Sequence, residues 1–183
     1  EIRLMDTQAR PYMVDLYELL LEIKTDYLSR ISKTRDIHIE VDSRLQGQLL
    51  YADGDHLRLV FRNLFSNSLR ATERRVTAAW HTGHKEDMSE VVQIEVAEAS
   101  DRRLVLLFSD NGCGMPPAIR EKLYIERCSD QKGRDHGLGG VIIRKLLDLN
   151  GGNIQILESS QSGDNVGTAQ RIVLSRNKEK VAA

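Results

Sequence analysis

Apolar residues recur every three or four positions in two stretches of the chain and every second position in several others, and these two periods lay out most of its elements. In "VDLYELLLEIKTDYLSRISKTR", Leu16, Leu19, Leu20, Ile23, Tyr27 and Ile31 form a one-sided stripe that predicts an amphipathic helix. Leu57, Val60, Phe61, Leu64, Phe65 and Leu69 predict a second helix from Leu57 to Ala71, with Asp55 as its N-cap after the turn "ADGD". Period two in "IHIEV", from Ile37 to Val41, predicts a strand, and "QLLY" after Gly47 predicts another. The pair "VVQIEVAE" and "RLVLLFSD", joined by the charged "ASDR", reads as a hairpin. "PPAIREKLY" is expected to form a short helix with proline in its first turn. "GLGGVIIRKLLDLNGG" is expected to form a helix opened by glycines and closed by Gly151 and Gly152, and "NIQILES" and "GTAQRIVL" supply the last strands. The polar stretch from Arg74 to Glu90 reads as a helix end plus an exposed loop, and Ile125 to His136 as a mobile segment.

Composition narrows what such a chain does. With 183 residues, 40% hydrophobic and 29% charged, it is long enough to bury one core. A formal net charge of -1 lacks the basic excess that a nucleic-acid partner calls for. The longest apolar runs, such as "LVLLF", fall far short of the roughly 20 residues that cross a bilayer, so no direct membrane contact is expected. The chain begins at Glu1 with no signal-like start, and a fragment of a longer protein is expected. Cys113 and Cys128 are too few for a disulfide framework and fit a reducing cytosolic setting.

Several nucleotide signatures are missing: the P-loop, the third glycine of a dinucleotide fingerprint after Gly137 and Gly139, and the H-R-D and D-F-G elements of protein kinases. Four other stretches remain, in the order "NLFSNSLRAT", "DNGCGMP", "HGLGG" and "VGT". Asn63, Asn67 and Arg70 share one helix face beside the apolar stripe, and such a polar ridge borders a cleft. An amide oxygen there is a hard, neutral ligand suited to Mg²⁺. Asp110 stands at the end of an apolar strand, where a carboxylate can accept from an amine in a pocket with little water. Gly112 and Gly114 permit a tight turn beside it, and Gly137 and Gly139 open a helix whose free N–H groups form a cradle for phosphate. The two histidines of "HTGH", His81 and His84, lack a metal-ligand pattern around them. Asp135 and His136 near Cys128 and Ser129 carry no triad geometry by proximity alone.

In their order, the four stretches resemble the nucleotide-binding boxes of the GHKL superfamily, which comprises gyrase, Hsp90, histidine kinases and MutL. More narrowly, the chain from about Tyr12 to Leu174 resembles the catalytic and ATP-binding domain of a sensor histidine kinase. The resemblance implies an α+β fold, a two-layer α/β sandwich whose mixed sheet carries helices on one face under a mobile ATP lid, roughly Met115 to His136. Residues 1–12 are then the tail of an upstream linker, 13–175 the domain and 176–183 a flexible end. The implied cofactors are ATP and Mg²⁺. Asn67 becomes the magnesium ligand, Arg70 a basic residue near the phosphates and Asp110 the partner of the adenine amine. Gly112, Gly114, Met115, Gly137, Leu138, Gly139 and Thr168 line the nucleotide, while Lys132, Arg134 and His136 reach the polyphosphate when the lid closes. Asn63 stands where ATP-hydrolysing relatives carry a glutamate that polarises water, and an amide cannot accept that proton at neutral pH. Asn63 and Asn67 are therefore the catalytic candidates for transfer to a side chain rather than to water. "NSLRAT" also resembles mitochondrial protein kinases of the superfamily, which usually keep the glutamate.

None of His38, His56, His81, His84 and His136 lies in the family's phosphoacceptor context, an H-E-x-x-[RT]-P-like helix start. The acceptor is expected on a histidine-bearing dimerisation domain of the same parent, with a response regulator as the next partner and a cytoplasmic location for this part. Two departures favour a rival reading, a nucleotide-binding regulatory module with reduced or no kinase activity. Gly140 stands where the family has leucine, which implies looser packing under the triphosphate, and the lid's phenylalanine-rich box is reduced to Leu123, Tyr124 and Ile125. An ATP-driven clamp is disfavoured by Asn63.

Overall fold

The computed structural model describes residues 9–31, 35–82, 89–126, 138–161 and 166–176. A strand β1 (Tyr12–Asp15) runs directly into helix α1 (Leu16–Arg30). Asp15 caps the helix by accepting from the Glu18 N–H at 3.2 Å, and Leu16, Leu19, Leu20 and Ile23 form its buried stripe. Strands β2 (Ile37–Val41) and β3 (Leu49–Ala52) follow, then helix α2 (Gly54–His81).

The cap of α2 is Asp53, not the expected Asp55. Asp53 has extended backbone angles and its Oδ1 accepts from the N–H groups of Asp55 (3.0 Å) and His56 (3.1 Å), so helical geometry has begun by Gly54. The helix also outruns the expected end at Ala71 by ten residues. Its last turns, "ERRVTAAWH", are made of good helix formers that project beyond the sheet with Trp80 exposed. Apolar periodicity reports burial, and here it stops before the helix does.

Strands β4 (Glu90–Ala99) and β5 (Arg103–Asp110) form the expected hairpin. A short helix α3 (Pro117–Arg120), helix α4 (Gly139–Leu149) and strands β6 (Asn153–Ser160) and β7 (Gly167–Ser175) complete the chain. The main sheet has the order β2-β4-β5-β7-β6, with β2 parallel to β4 and every other pair antiparallel. It is the mixed sheet of an α+β sandwich. The sequence did not signal β1, whose four residues pair with β3 in a separate two-stranded ribbon.

One face of the sheet packs on the helices. Phe61 and Phe65 of α2 and Phe108 of β5 are fully buried, and the Phe65 and Phe108 rings meet edge to face with centroids 5.5 Å apart. Burying side chains of this size contributes about 2 kcal/mol each. α4 crosses α2 in the opposite direction and is pinned to it at one end. There Asn150 Oδ1 accepts from the Asp53 N–H at 2.7 Å, and its Nδ2 donates to Leu146 O at 2.8 Å and lies 3.2 Å from His56 Nδ1. At the other end the first residue of α4, Gly139, faces Asn63 and Asn67 in the middle of α2.

Candidate functional site

β5 delivers Asp110 to the open end of the sandwich because its inward residues, Leu104, Leu106 and Phe108, fix the alternation that turns Asp110 the same way. Across the sheet, Asp110 pairs with Thr168 and Phe108 with Gln170. Ser68 on α2 donates its hydroxyl to Asp110 Oδ2 at 2.6 Å, and the Gly112 N–H donates to Oδ1 at 2.9 Å. Burial pushes the Asp110 carboxyl up from its usual range, while the bonds from Ser68, Gly112 and the Thr168 backbone hold it back.

The loop after Asp110 is stitched down on both sides. Asn111 Oδ1 accepts from the Val91 N–H at 2.9 Å and its Nδ2 donates to Ser89 O at 2.9 Å, which fixes the end of the hairpin. The Cys113 N–H donates to Ala71 O at 3.0 Å, so the cysteine's place in the loop is held through its backbone. Gly112 lies against α2, where an added Cβ would come within 2.5 Å of the Ala71 Cβ. Gly114 has φ +64°, and a Cβ there would meet Ser160 O at 2.1 Å, so only glycine lets the loop pass over β6. Beyond it the Met115 N–H donates to Ser159 Oγ at 2.8 Å, and Ser159 Oγ lies 3.1 Å from Thr168 Oγ1. Asp110, Gly112, Gly114, Met115 and Thr168, five of the expected residues, thus stand together.

A second group stands where α4 begins. Asn63 donates its Nδ2 to Leu59 O at 2.8 Å, which turns Oδ1 toward Gly139, 3.2 Å from where a Cβ would sit. The Asn67 amide is exposed, 3.9 Å from the same point, and takes no side-chain hydrogen bond among the described residues. Leu138 caps α4 with no side-chain hydrogen bond, so among the described residues the N–H groups of its first turn have no side-chain partner. These amides and a bare helix start fit a magnesium ion held jointly by Asn67 and by phosphate oxygens. Among the described residues no group of three His, Cys, Asp or Glu side chains gathers as a metal site. Arg70 is exposed at the α1 edge of the same ridge, where its charge reaches the Tyr27 hydroxyl. Lys132, Arg134, His136 and Gly137 lie outside the described residues, as do His84, Cys128, Ser129 and Asp135.

Looser packing at Gly140 is not what the structure has. Gly140 is buried, and a Cβ on it would come within 1.9 Å of Leu123 O, so the missing leucine makes room for the backbone of the segment that follows α3. That segment is anchored by Tyr124, half-buried against the core, whose hydroxyl donates to Gln170 Oε1. Burial pushes the Tyr124 hydroxyl well above its ordinary range and the charge of Asp110 adds to the rise.

Ser68 and Gln170 escaped the sequence reading, though both carried a signal, and Tyr124 entered it only as part of the reduced lid box. Ser68 follows Leu64 by four on the buried stripe of α2, and Gln170 lies between Thr168 and Ile172 on the inward face of β7. A polar side chain in a buried register needs a partner, and each has one at this site.

Comparison with known proteins agrees with this geometry. The chain spans about a quarter to two fifths of the length of the curated relatives it matches. It is 28% identical over 150 residues to a probable C4-dicarboxylate sensor kinase of Bacillus subtilis, covering 80% of this chain and 25% of that protein. It is 22% identical over 157 residues to the adaptive-response sensory kinase SasA of Prochlorococcus marinus subsp. pastoris, covering 84% and 38%. Among solved structures, the catalytic domain of histidine kinase ThkA superposes with a TM-score of 0.68 at 20% identity, covering 93% of this chain and 99% of that one. The mycobacterial sensor histidine kinase MprB gives 0.67 at 20% identity, covering 91% and 97%. A sequence-family model matches residues 52–178, the stretch that carries every group described above, and by that match the chain belongs to the histidine kinase-, DNA gyrase B- and HSP90-like ATPases.

Proposed function

We propose that this domain binds Mg-ATP between α2, α4 and the end of β5, and transfers the γ-phosphoryl group to a histidine on a dimerisation domain of the same parent, from which a response regulator receives it. The observation that carries the reading is that one helix, α2, touches both the Asp110 group and the start of α4. Ser68 touches Asp110, while its neighbour Asn67 and, one turn earlier, Asn63 face the first residue of α4. A nucleotide laid along that helix meets a carboxylate at its base and free N–H groups at its phosphates.

Asp110 accepts from the exocyclic amine of adenine and so orients the base. The first turn of α4 receives the phosphates, and Asn67 offers an amide oxygen for the cation. Magnesium, when bound, screens the triphosphate and orients its γ-phosphoryl. Asn63 is locked by Leu59 O and, being an amide, takes no proton from water, so the geometry favours an imidazole nucleophile over hydrolysis. In the transfer, the imidazole nitrogen bonds to the γ-phosphorus as the bond to the bridging oxygen breaks and ADP leaves. The domain's own work is positioning and charge neutralisation. The close packing at Gly140 and the seated Tyr124 remove the looseness that motivated a reading without kinase activity.

The test titrates a fluorescent ATP analogue with and without Mg²⁺ and then adds a histidine-bearing dimerisation domain. Tight Mg-dependent binding followed by acid-labile phosphate on the added domain is expected. Binding without transfer, or rapid release of free phosphate, overturns the kinase reading. Asn67→Asp is expected to change the Mg²⁺ dependence of binding more than its Mg-free level, read in the same titration.

A further inference from the structure

The polar contact closest to Asp110 comes from a residue that the family's motifs leave unassigned. Ser68 is 2% exposed, sits on the buried stripe of α2 and has its hydroxyl 2.6 Å from Asp110 Oδ2. The carboxylate also takes the Gly112 N–H on Oδ1. A carboxylate has about four lone-pair positions, so these bonds leave a defined remainder facing the cleft. We infer that Ser68 is the positioning residue that holds Asp110 as an oriented, ionised acceptor, and that the choice of a 6-amino purine over a 6-oxo purine depends on it. The inference rests on the reading of Asp110 as the base-recognition group.

The argument is one of donors and acceptors. Adenine presents an amine where guanine presents a carbonyl. An ionised carboxylate accepts from the first and opposes the second, whereas a protonated carboxyl can donate to the second. Burial alone drives Asp110 toward the protonated form that tolerates guanine. Ser68 opposes this, because a hydroxyl that donates to the carboxylate stabilises its charged form. The other groups facing Asp110 do not titrate in competition. Gly112 and Thr168 contribute backbone N–H groups, Gln170 on the adjacent inward position is an uncharged amide, and Tyr124 stays neutral because its hydroxyl is raised. Among the described residues no basic side chain contributes to the Asp110 shift.

The test measures binding of Mg-ADP and Mg-GDP by competition against the fluorescent analogue from about pH 5 to about pH 8, for the wild-type chain, Ser68→Ala, Ser68→Cys and Asp110→Asn. The ligands' own titrations cancel between variants. Adenine binding by the wild type falls as acid protonates Asp110, and Ser68→Ala moves that fall upward by about one pH unit. Over the shifted window the preference for ADP over GDP drops by roughly tenfold. Ser68→Cys keeps the shape but gives up the strong donor, so it should follow the alanine variant. Thermal melting of each variant without nucleotide separates loss of fold from loss of orientation. If Asp110→Asn loses ADP while both Ser68 variants keep the wild-type pH profile and preference, the inference on Ser68 fails and the base-recognition reading stands. If Asp110→Asn binds as the wild type does, that reading fails first.

Discussion

On the proposed reading, the two ends of the nucleotide meet groups built in opposite ways. At the base end, Asp110 is half-buried, takes bonds from Ser68 and the Gly112 N–H, and lies beside a loop tied to Ala71 through the Cys113 N–H and to Val91 and Ser89 through Asn111. At the phosphate end, Asn67 is exposed without a partner among the described residues, and the first turn of α4 has no side-chain cap. A base is recognised by fixed donors and acceptors, which lose orientation unless they are held before it arrives. Phosphates and a hydrated cation carry their own charge and geometry, so groups that meet them can wait in water. On the proposed reading, the end that selects the base is the one held in place, and the end that meets the phosphates is the one left open.

The contrast can be broken at its strongest support. Glu90 is buried and holds α2 to the sheet by accepting from Arg35 Nε at 2.8 Å and from Thr72 Oγ1 at 2.6 Å. Glu90→Ala leaves the Arg35 guanidinium only Glu73 at 3.5 Å and Leu69 O at 3.2 Å, and because that side chain is 23% exposed the loss belongs at the low end for a buried pair, about 3 kcal/mol. Urea unfolding should show a lower midpoint at unchanged slope. Next, Asp110→Asn should cost about 2 kcal/mol of nucleotide affinity, read by titration at neutral pH, with the melting temperature held or raised because a buried charge is removed.

Smaller effects sharpen the boundary between the ends. Gly140→Ala brings a Cβ to 1.9 Å of the Leu123 carbonyl, a backbone atom that cannot simply rotate away. The gain in helix propensity is about 1 kcal/mol, and overpacking at such a contact costs about 2 kcal/mol, so a net loss of stability is expected in thermal melting. Tyr124→Phe leaves Gln170 Oε1 without its donor and should cost about 1 kcal/mol, with cleavage near the start of the lid accelerated under limited proteolysis.

Most of the layered fold was legible because burial and periodicity coincide in α1, β4, β5, α4 and β7. Where they part, the sequence was silent or misleading. The last nine residues of α2 are helical without being fully buried, and β1 is four residues long with mates 34 to 40 positions away. Asp110 and the glycines around it were legible because a carboxylate ending an apolar strand has few ordinary uses. Ser68 was not, because its role depends on a contact spanning 42 positions that no local spacing encodes. Gly140 was misread because the absence of a side chain looked like space, when it marks the arrival of another backbone.

The clasp between Asp53 and Asn150 has a mechanical corollary. Asp53 Oδ2 also accepts from the Arg10 N–H at 2.7 Å, so one residue grips the segment before β1 and the start of α2 through its carboxylate and the tail of α4 through its backbone N–H. The two helices therefore behave like tweezers whose rivet is the point where the chain enters the domain. On the proposed reading, a ligand seated at the tips, Gly139 and Asn63, loads that same rivet.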